Sequence, residues 1–149
     1  MSDATPETIT LKLPSRLELL AVLDRVVLAV CERMGFGEDA TSAMSMAVLE
    51  AGTNAVQHAH QRDASRLFEV ALVMHADRLE VQVQDSGPGF DPVAVTHDIT
   101  SPEHLLDMRG RGLYIMRASC DEVDFSFTGH GTRCRLVKHR VPAPGAAGV

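Results

Sequence analysis

Two strand-like segments, RLFEVALVMH (residues 66–75) and the alternating RLEVQVQD (residues 78–85), lie back to back with only Ala76-Asp77 between them. Side chains on a strand alternate sides, and a connection this short forces antiparallel pairing. A second pair, EVDFSFT (122–128) and TRCRLVKHR (132–140), flanks Gly-His-Gly. TITLKLP (8–14) alternates as well and ends at Pro14, which predicts a first strand. Between these segments the period changes. Leu19, Leu20, Leu23, Val26, Val27, Val30 and Met34 fall at helical spacing, and Gly35 and Gly37 close that helix. Ser15 and Glu18 have the spacing of a capping box at its start. A second helix is predicted from about Asp39 to Ala59, with Ala43, Met44, Ala47, Val48, Ala51 and Ala55 as its apolar stripe. Gly52 interrupts it at a cost of up to about 1 kcal/mol, which predicts close packing there. GLYIMRASC (112–120) reads as a third helix. The order β-α-α-β-β-loop-α-β-β predicts an α+β two-layer sandwich, a mixed, mostly antiparallel sheet with helices on one face.

Composition narrows the function. A chain of 149 residues with 45% hydrophobic and 23% charged residues suits one domain with a real core. A net charge of −6, 4% aromatic residues and no Trp argue against direct nucleic-acid binding, which needs a basic footprint and stacking surfaces. No apolar run reaches the length that spans a bilayer, and MSDATPETIT is too polar for a signal peptide or anchor, so a cytoplasmic protein without a membrane role is expected. Cys31, Cys120 and Cys134 are odd in number and widely spaced, which predicts small buried residues in a reducing compartment, with no metal spacing. RVPAPGAAGV predicts a frayed end: a single domain over residues 1–140 and a flexible tail over 141–149.

Four features sit at the ends of these elements. In LEAGTNAVQHAH, Glu50 and Asn54 are four apart and share a helix face off the Ala-rich stripe. A carboxamide oxygen suits Mg²⁺, and a neighbouring carboxylate can take a proton from a hydroxyl. A solvated, idle helix face is the competing interpretation. In QVQDSGPGFDP, Asp85 ends a strand, and Gly87 and Gly89 let backbone approach a ligand closely. A carboxylate there can accept a hydrogen bond from an exocyclic amine. A tight turn bracketed by Asp85 and Asp91, with Asp91 capping the next turn, accounts for the same residues. In MRGRGLYIM, Gly110 and Gly112 open a helix whose N–H groups suit a phosphate, with Arg109 and Arg111 adding charge. Gly-x-Gly alone also suits a hinge, and the stretch is neither a dinucleotide fingerprint nor a Walker A loop. In GHGTRCRL, Thr132 begins the last strand, where it can support Asp85 or simply complete a hairpin.

Taken in order, the four resemble the N box and the three glycine boxes of the GHKL ATPase family, the Bergerat fold of gyrase, histidine kinases and MutL. The resemblance covers roughly residues 8–139. LEAGTNAVQHAH further resembles the N box of the anti-sigma-factor serine/threonine kinases, the RsbW and SpoIIAB group, in which Glu-Ala-x-x-Asn is followed four residues after the Asn by His, here His58. RGRGLYIM resembles the same group's second glycine box. The resemblance implies ATP and Mg²⁺ as cofactors, Glu50 as general base and Asn54 as the Mg²⁺ ligand, with His58 beside them. It makes Asp85 the adenine-reading carboxylate, Gly87 and Gly89 the adenine pocket, and Thr132 its neighbour. Gly110, Gly112 and Leu113 would meet the phosphates beneath a lid over Ser86–Arg109, with Arg109 and Arg111 steadying charge. It implies a STAS-type anti-sigma-factor antagonist and a sigma factor as partners, and a homodimer. A sensor histidine kinase fits less well: no phospho-acceptor His precedes His58, and Gln57 stands where many such kinases carry Lys. An ATP-binding regulatory module with little transfer, or a detached histidine-kinase catalytic domain, are the alternatives.

One substitution separates a nucleotide-choosing Asp85 from a mere turn former. Asp85→Asn should weaken ATP binding much more than it lowers the thermal midpoint. Equal losses in calorimetry and thermal unfolding would favour the turn.

Overall fold

The computed structural model describes residues 5–89 and 108–140, with the side chains of 108 and 109 outside the description. The expectations for Asp91, the Leu105-Leu106 patch, most of the lid, the Arg109 side chain and the 141–149 tail fall outside the described residues. The strands are β1 (Glu7–Pro14), β2 (Leu67–Met74), β3 (Arg78–Asp85), β4 (Glu122–Thr128) and β5 (Gly131–His139). They form one antiparallel sheet in the order β1-β2-β3-β5-β4. The helices are α1 (Leu20–Arg33), α2 (Glu38–Thr53) and α3 (Met108–Ser119). A short 3₁₀ turn at Leu17–Leu19 precedes α1.

Strand alternation decides which face the helices cover. Phe68, Val70 and Leu72 of β2, Leu79, Val81 and Val83 of β3, and Cys134 and Leu136 of β5 all point to one face and are buried. Leu23 and Val27 of α1, Met44 and Val48 of α2, and Leu113 and Met116 of α3 pack in the same core. The opposite face is polar. There Arg135 reaches Glu80 at 2.8 Å, Asp124 at 2.8 Å and Glu122 at 3.2 Å across three neighbouring strands. The expected two-layer arrangement therefore holds. The cysteines are free; Cys31 and Cys134 are buried and Cys120 is half-buried. Burial pushes the Cys31 thiol up to about 11 and the Cys120 thiol up to about 12, so neither is a ready nucleophile. Among the described residues, no helix is long and apolar enough to cross a membrane.

Three local expectations change. Ser15 is not a helix cap: the residue at the cap position is Arg16, whose side chain makes no capping bond. Glu18 pairs with Arg16 at 2.8 Å, while Ser15 is fully buried and bonds to His60. A tertiary partner took the hydroxyl that local spacing assigned to the helix. The second helix does reach Ala59, but its last six residues, Asn54–Ala59, are π-helical. The wide turn ends with His60 N–H donating to Ala55 O at 2.9 Å, and Gln61 (φ 51°) and Arg62 (φ 59°) then reverse the chain. Finally, α3 is helical from Met108, so Gly110 lies in its first described turn while Gly112 lies just beyond that turn.

Gly52 is buried, as its helix-breaking cost required. A Cβ at this position would lie 2.7 Å from Leu20 Cδ2, so α1 and α2 approach across a missing side chain. Gly52→Val should therefore lose about 1–3 kcal/mol in chemical denaturation through overpacking. An unchanged midpoint would show that Leu20 has room to move.

Candidate functional site

The site is built where three elements converge on the π turn. Glu50 lies in the last full turn of α2, and Asn54 begins the π segment. Helical spacing sets the two side by side, and Asn54 is only 8% exposed. Gly112 of α3 closes over both. A Cβ on Gly112 would lie 2.8 Å from Glu50 Oε2 and 3.9 Å from Asn54 Oδ1. Glycine is needed at 112 for that approach, a different task from offering a free N–H at a helix start. Leu113 beside it is fully buried and pins α3 to the core. Gly110 is buried and Arg111 exposed on the same helix. Burial raises the Glu50 carboxyl above its ordinary value, and Arg111 partly offsets this.

The other end of the site follows from strand register. Asp85 pairs with Thr132, and Thr132 with Phe127, so all three side chains point to the helix-covered face. Asp85 Oδ1 accepts from Gly87 N–H at 2.8 Å and from Thr132 N–H at 3.3 Å. The expected support of Asp85 by Thr132 thus runs through the backbone. Its hydroxyl points elsewhere, buried and without a hydrogen-bond partner. Gly89 (φ +83°) curls over that hydroxyl, where a Cβ would be 3.4 Å from Thr132 Oγ1 and 3.1 Å from the Phe127 ring. Gly87 lies against the π turn, where a Cβ would be 2.6 Å from Ala59 Cβ and 2.9 Å from Ala59 O. The two ends of the site are therefore joined through one six-residue π segment.

Among the described residues, two buried side-chain atoms lack hydrogen-bond partners, Asn54 Nδ2 and Thr132 Oγ1. Buried polar groups are nearly always paired, because leaving one unpaired costs about 1–3 kcal/mol. Both orphans belong to residues singled out from sequence, one at each end of the site. A carboxylate, a carboxamide, a second carboxylate and a hydroxyl on one face can hold a polar ligand with a phosphate end and a base end. Among the described residues no cluster of three His, Cys, Asp or Glu could hold a metal alone, so a cation here would share its shell with water or ligand.

The family model for the histidine kinase-like ATPase domain matches residues 13–138, which span every element from the end of β1 to the end of β5. Serine-protein kinase RsbW of Bacillus cereus (strain Q1) is 36% identical over 124 residues, covering 78% of this chain and 76% of the relative. RsbW of Bacillus anthracis (strain CDC 684 / NRRL 3495) is 35% identical over the same length and coverage. The chain belongs to the RsbW serine-protein kinase family. A crystal structure of the RsbU and RsbW domains of a Mycobacterium tuberculosis protein has the same fold, with a TM-score of 0.64 at 16% identity. That likeness covers 92% of this chain and 34% of the longer one. With its RsbW kinship the chain is a protein kinase of the serine/threonine class, as the N box implied, and the detached histidine-kinase alternative gains no support.

Sequence spacing missed part of the site. His58 is half-buried on the π segment, but the ring that reaches the Asp85 turn is that of His60. Ser15, Arg66 and Ser86 join it there. Ser15 and His60 are 45 residues apart, and no local pattern relates them. Phe127 carries no signal beyond its strand pattern, in which alternation with Phe125 sets it on the inner face.

The Gly112 contact gives a direct check. In Gly112→Ala the atom that must give is the end of the Glu50 side chain, so folding should change little. Phosphotransfer should fall at least about tenfold through displacement of the carboxylate. Full activity at an unchanged unfolding midpoint would separate Gly112 from the site.

Proposed function

We propose that the chain is an anti-sigma-factor kinase that phosphorylates a serine or threonine of a STAS-type antagonist and sequesters a sigma factor when that antagonist is phosphorylated. Partner switching of this kind places it in the cytoplasm, acting as a homodimer. The observation that carries the nucleotide reading is the pair of orphaned buried polar atoms, one at each end of a single site. Asp85 selects the nucleobase through its carboxylate, with Gly87 and Gly89 shaping the pocket and Thr132 Oγ1 giving its unused hydrogen bond to the base. Asn54 would hold Mg²⁺ through its oxygen, and its orphaned Nδ2 would be satisfied by the bound ligand. Mg²⁺, when bound, neutralises phosphate charge and leaves few protein ligands to find. His58 belongs to the same helix face, and Gly110, Gly112 and Leu113 bring α3 against the phosphates.

Glu50 takes the proton from the attacking hydroxyl as the γ-phosphoryl group moves in line, while Arg109 and Arg111 of α3 steady the developing charge. The fit of Glu50 to this task lies in its carboxyl, which burial raises above the ordinary glutamate value and so makes a stronger base than an exposed Glu.

Glu50→Gln, assayed with purified antagonist and labelled ATP, should lose about a hundredfold or more in transfer while retaining nucleotide binding. The wild-type rate should rise with pH through a pKa above that of an ordinary glutamate, and the variant should lose that rise. The product should be acid-stable. Undiminished transfer by Glu50→Gln would remove Glu50 from the role of base, and acid-labile phosphate would point to a histidine acceptor.

A further inference from the structure

His60 is 1% exposed and its ring joins three segments. Nδ1 lies 2.7 Å from Ser15 Oγ at the end of β1. Nε2 lies 2.9 Å from Ser86 N and 3.0 Å from Ser86 Oγ, just beyond β3. A backbone N–H can only donate, so Nε2 must be the unprotonated nitrogen. The ring proton therefore sits on Nδ1, is donated to Ser15 Oγ, and the imidazole is neutral. Arg66 Nη2 completes the clamp by donating to Ser86 O at 2.9 Å and to Ser86 Oγ at 2.8 Å. The next residue, Gly87, packs on Ala59 and donates to Asp85 Oδ1. The backbone that orients the Asp85 carboxylate thus hangs on Ala59 and His60, the end of the π turn.

We propose that His60 is a positioning residue for the nucleobase end of the site: its neutral ring holds the Ser86-Gly87 backbone, and protonation of the ring releases it, so nucleotide affinity falls in mild acid. The inference rests on the nucleotide role proposed for Asp85. An imidazolium would set its Nε2–H against the Ser86 N–H. It would also be buried beside the Arg66 guanidinium, with Asp85 and Asp63 as the carboxylates facing it. Burial and Arg66 outweigh those carboxylates and hold the ring below the ordinary histidine range. The unfolded chain takes up this proton near pH ~6.5, and the folded chain only below that. In the window between, the unfolded state binds more protons, so stability also falls as pH drops. Loss of affinity must therefore be read on protein that is still folded.

The experiment is calorimetric titration of Mg-ATP into the wild type, His60→Gln and His60→Leu from pH ~5.5 to ~8, with thermal unfolding of the same samples. The glutamine amide oxygen can accept from Ser86 N–H but does not titrate. His60→Gln should bind like the wild type at the alkaline end. Toward acid the wild type should lose about tenfold more affinity than His60→Gln, since the phosphates' own titration is common to both. His60→Leu should be about tenfold weaker at the alkaline end. Equal pH slopes for wild type and His60→Gln, or unchanged affinity in His60→Leu, would overturn the proposal. Should the variants not fold, the wild-type ring decides by NMR. Because linkage is reciprocal, saturating nucleotide should move the His60 titration midpoint to lower pH, and an unmoved midpoint would refute the role. A wild type that binds no ATP at any pH would refute the nucleotide site itself, and this inference with it.

Discussion

One carboxylate oxygen organises the candidate site. Asp85 Oδ1 accepts from the turn that follows it and from the strand beside it. Those two bonds fix the end of β3, the start of β5 and the Asp-Ser-Gly-Pro-Gly turn relative to one another. The contact tolerates no bulk: at Gly131 (φ +149°) a Cβ would fall 1.9 Å from the Asp85 carbonyl oxygen. Glycine supplies both the backbone angle and the space. From this corner the rest of the site is reached by rigid elements, Gly87 onto Ala59, the π turn back to Asn54, and α3 over Glu50.

The site concentrates polar groups that the fold does not itself satisfy. Elsewhere the domain is conservative, with an aliphatic core and a solvated face of ion pairs around Arg135. The exposed partners in that cluster, Glu122 and Asp124, contribute little individually, while Glu80 is the more buried anchor. At the site, burial lifts Glu50, and Asn54 and Thr132 each keep an unpaired atom. These groups lower stability in the isolated domain and become favourable only against a ligand of matching polarity. A kinase of this family accepts that loss where chemistry requires it.

Much of this was legible from the chain. Alternation in 78–85 and the two-residue link to the apolar strand at 66–75 fixed the hairpin, and with it the face on which Asp85 lies. The spacing of Glu50 and Asn54 placed them together, and Gly52 announced a tight helix crossing through its cost alone. What stayed hidden depended on contacts between distant segments. Ser15 carries a valid capping-box pattern with Glu18, yet His60 claimed its hydroxyl. The π turn has no compositional mark, since Asn-Ala-Val-Gln-His-Ala would sit equally well in an α-helix. The extra turn of α3 ahead of Gly112 was obscured by two glycines that local propensity disfavours. Gly112 is tolerated because it must approach Glu50.

The π segment has a consequence for insertion and deletion. In an α-helix each residue advances about 100° around the axis, so every side chain's azimuth is tied to its position in sequence. A wide turn breaks that tie once and resets the phase. Glu50 and Asn54 are thereby aimed at α3, while Ala59 and His60 are aimed at the strand ends from the same continuous element. Removing one residue together with the wide turn would leave the phase beyond it in place, but straightening Asn54–Ala59 into ordinary helix at full length would swing everything beyond it by about a quarter turn. The composition and hydrophobicity of the helix would hardly change, but it would then serve one end of the site at the expense of the other.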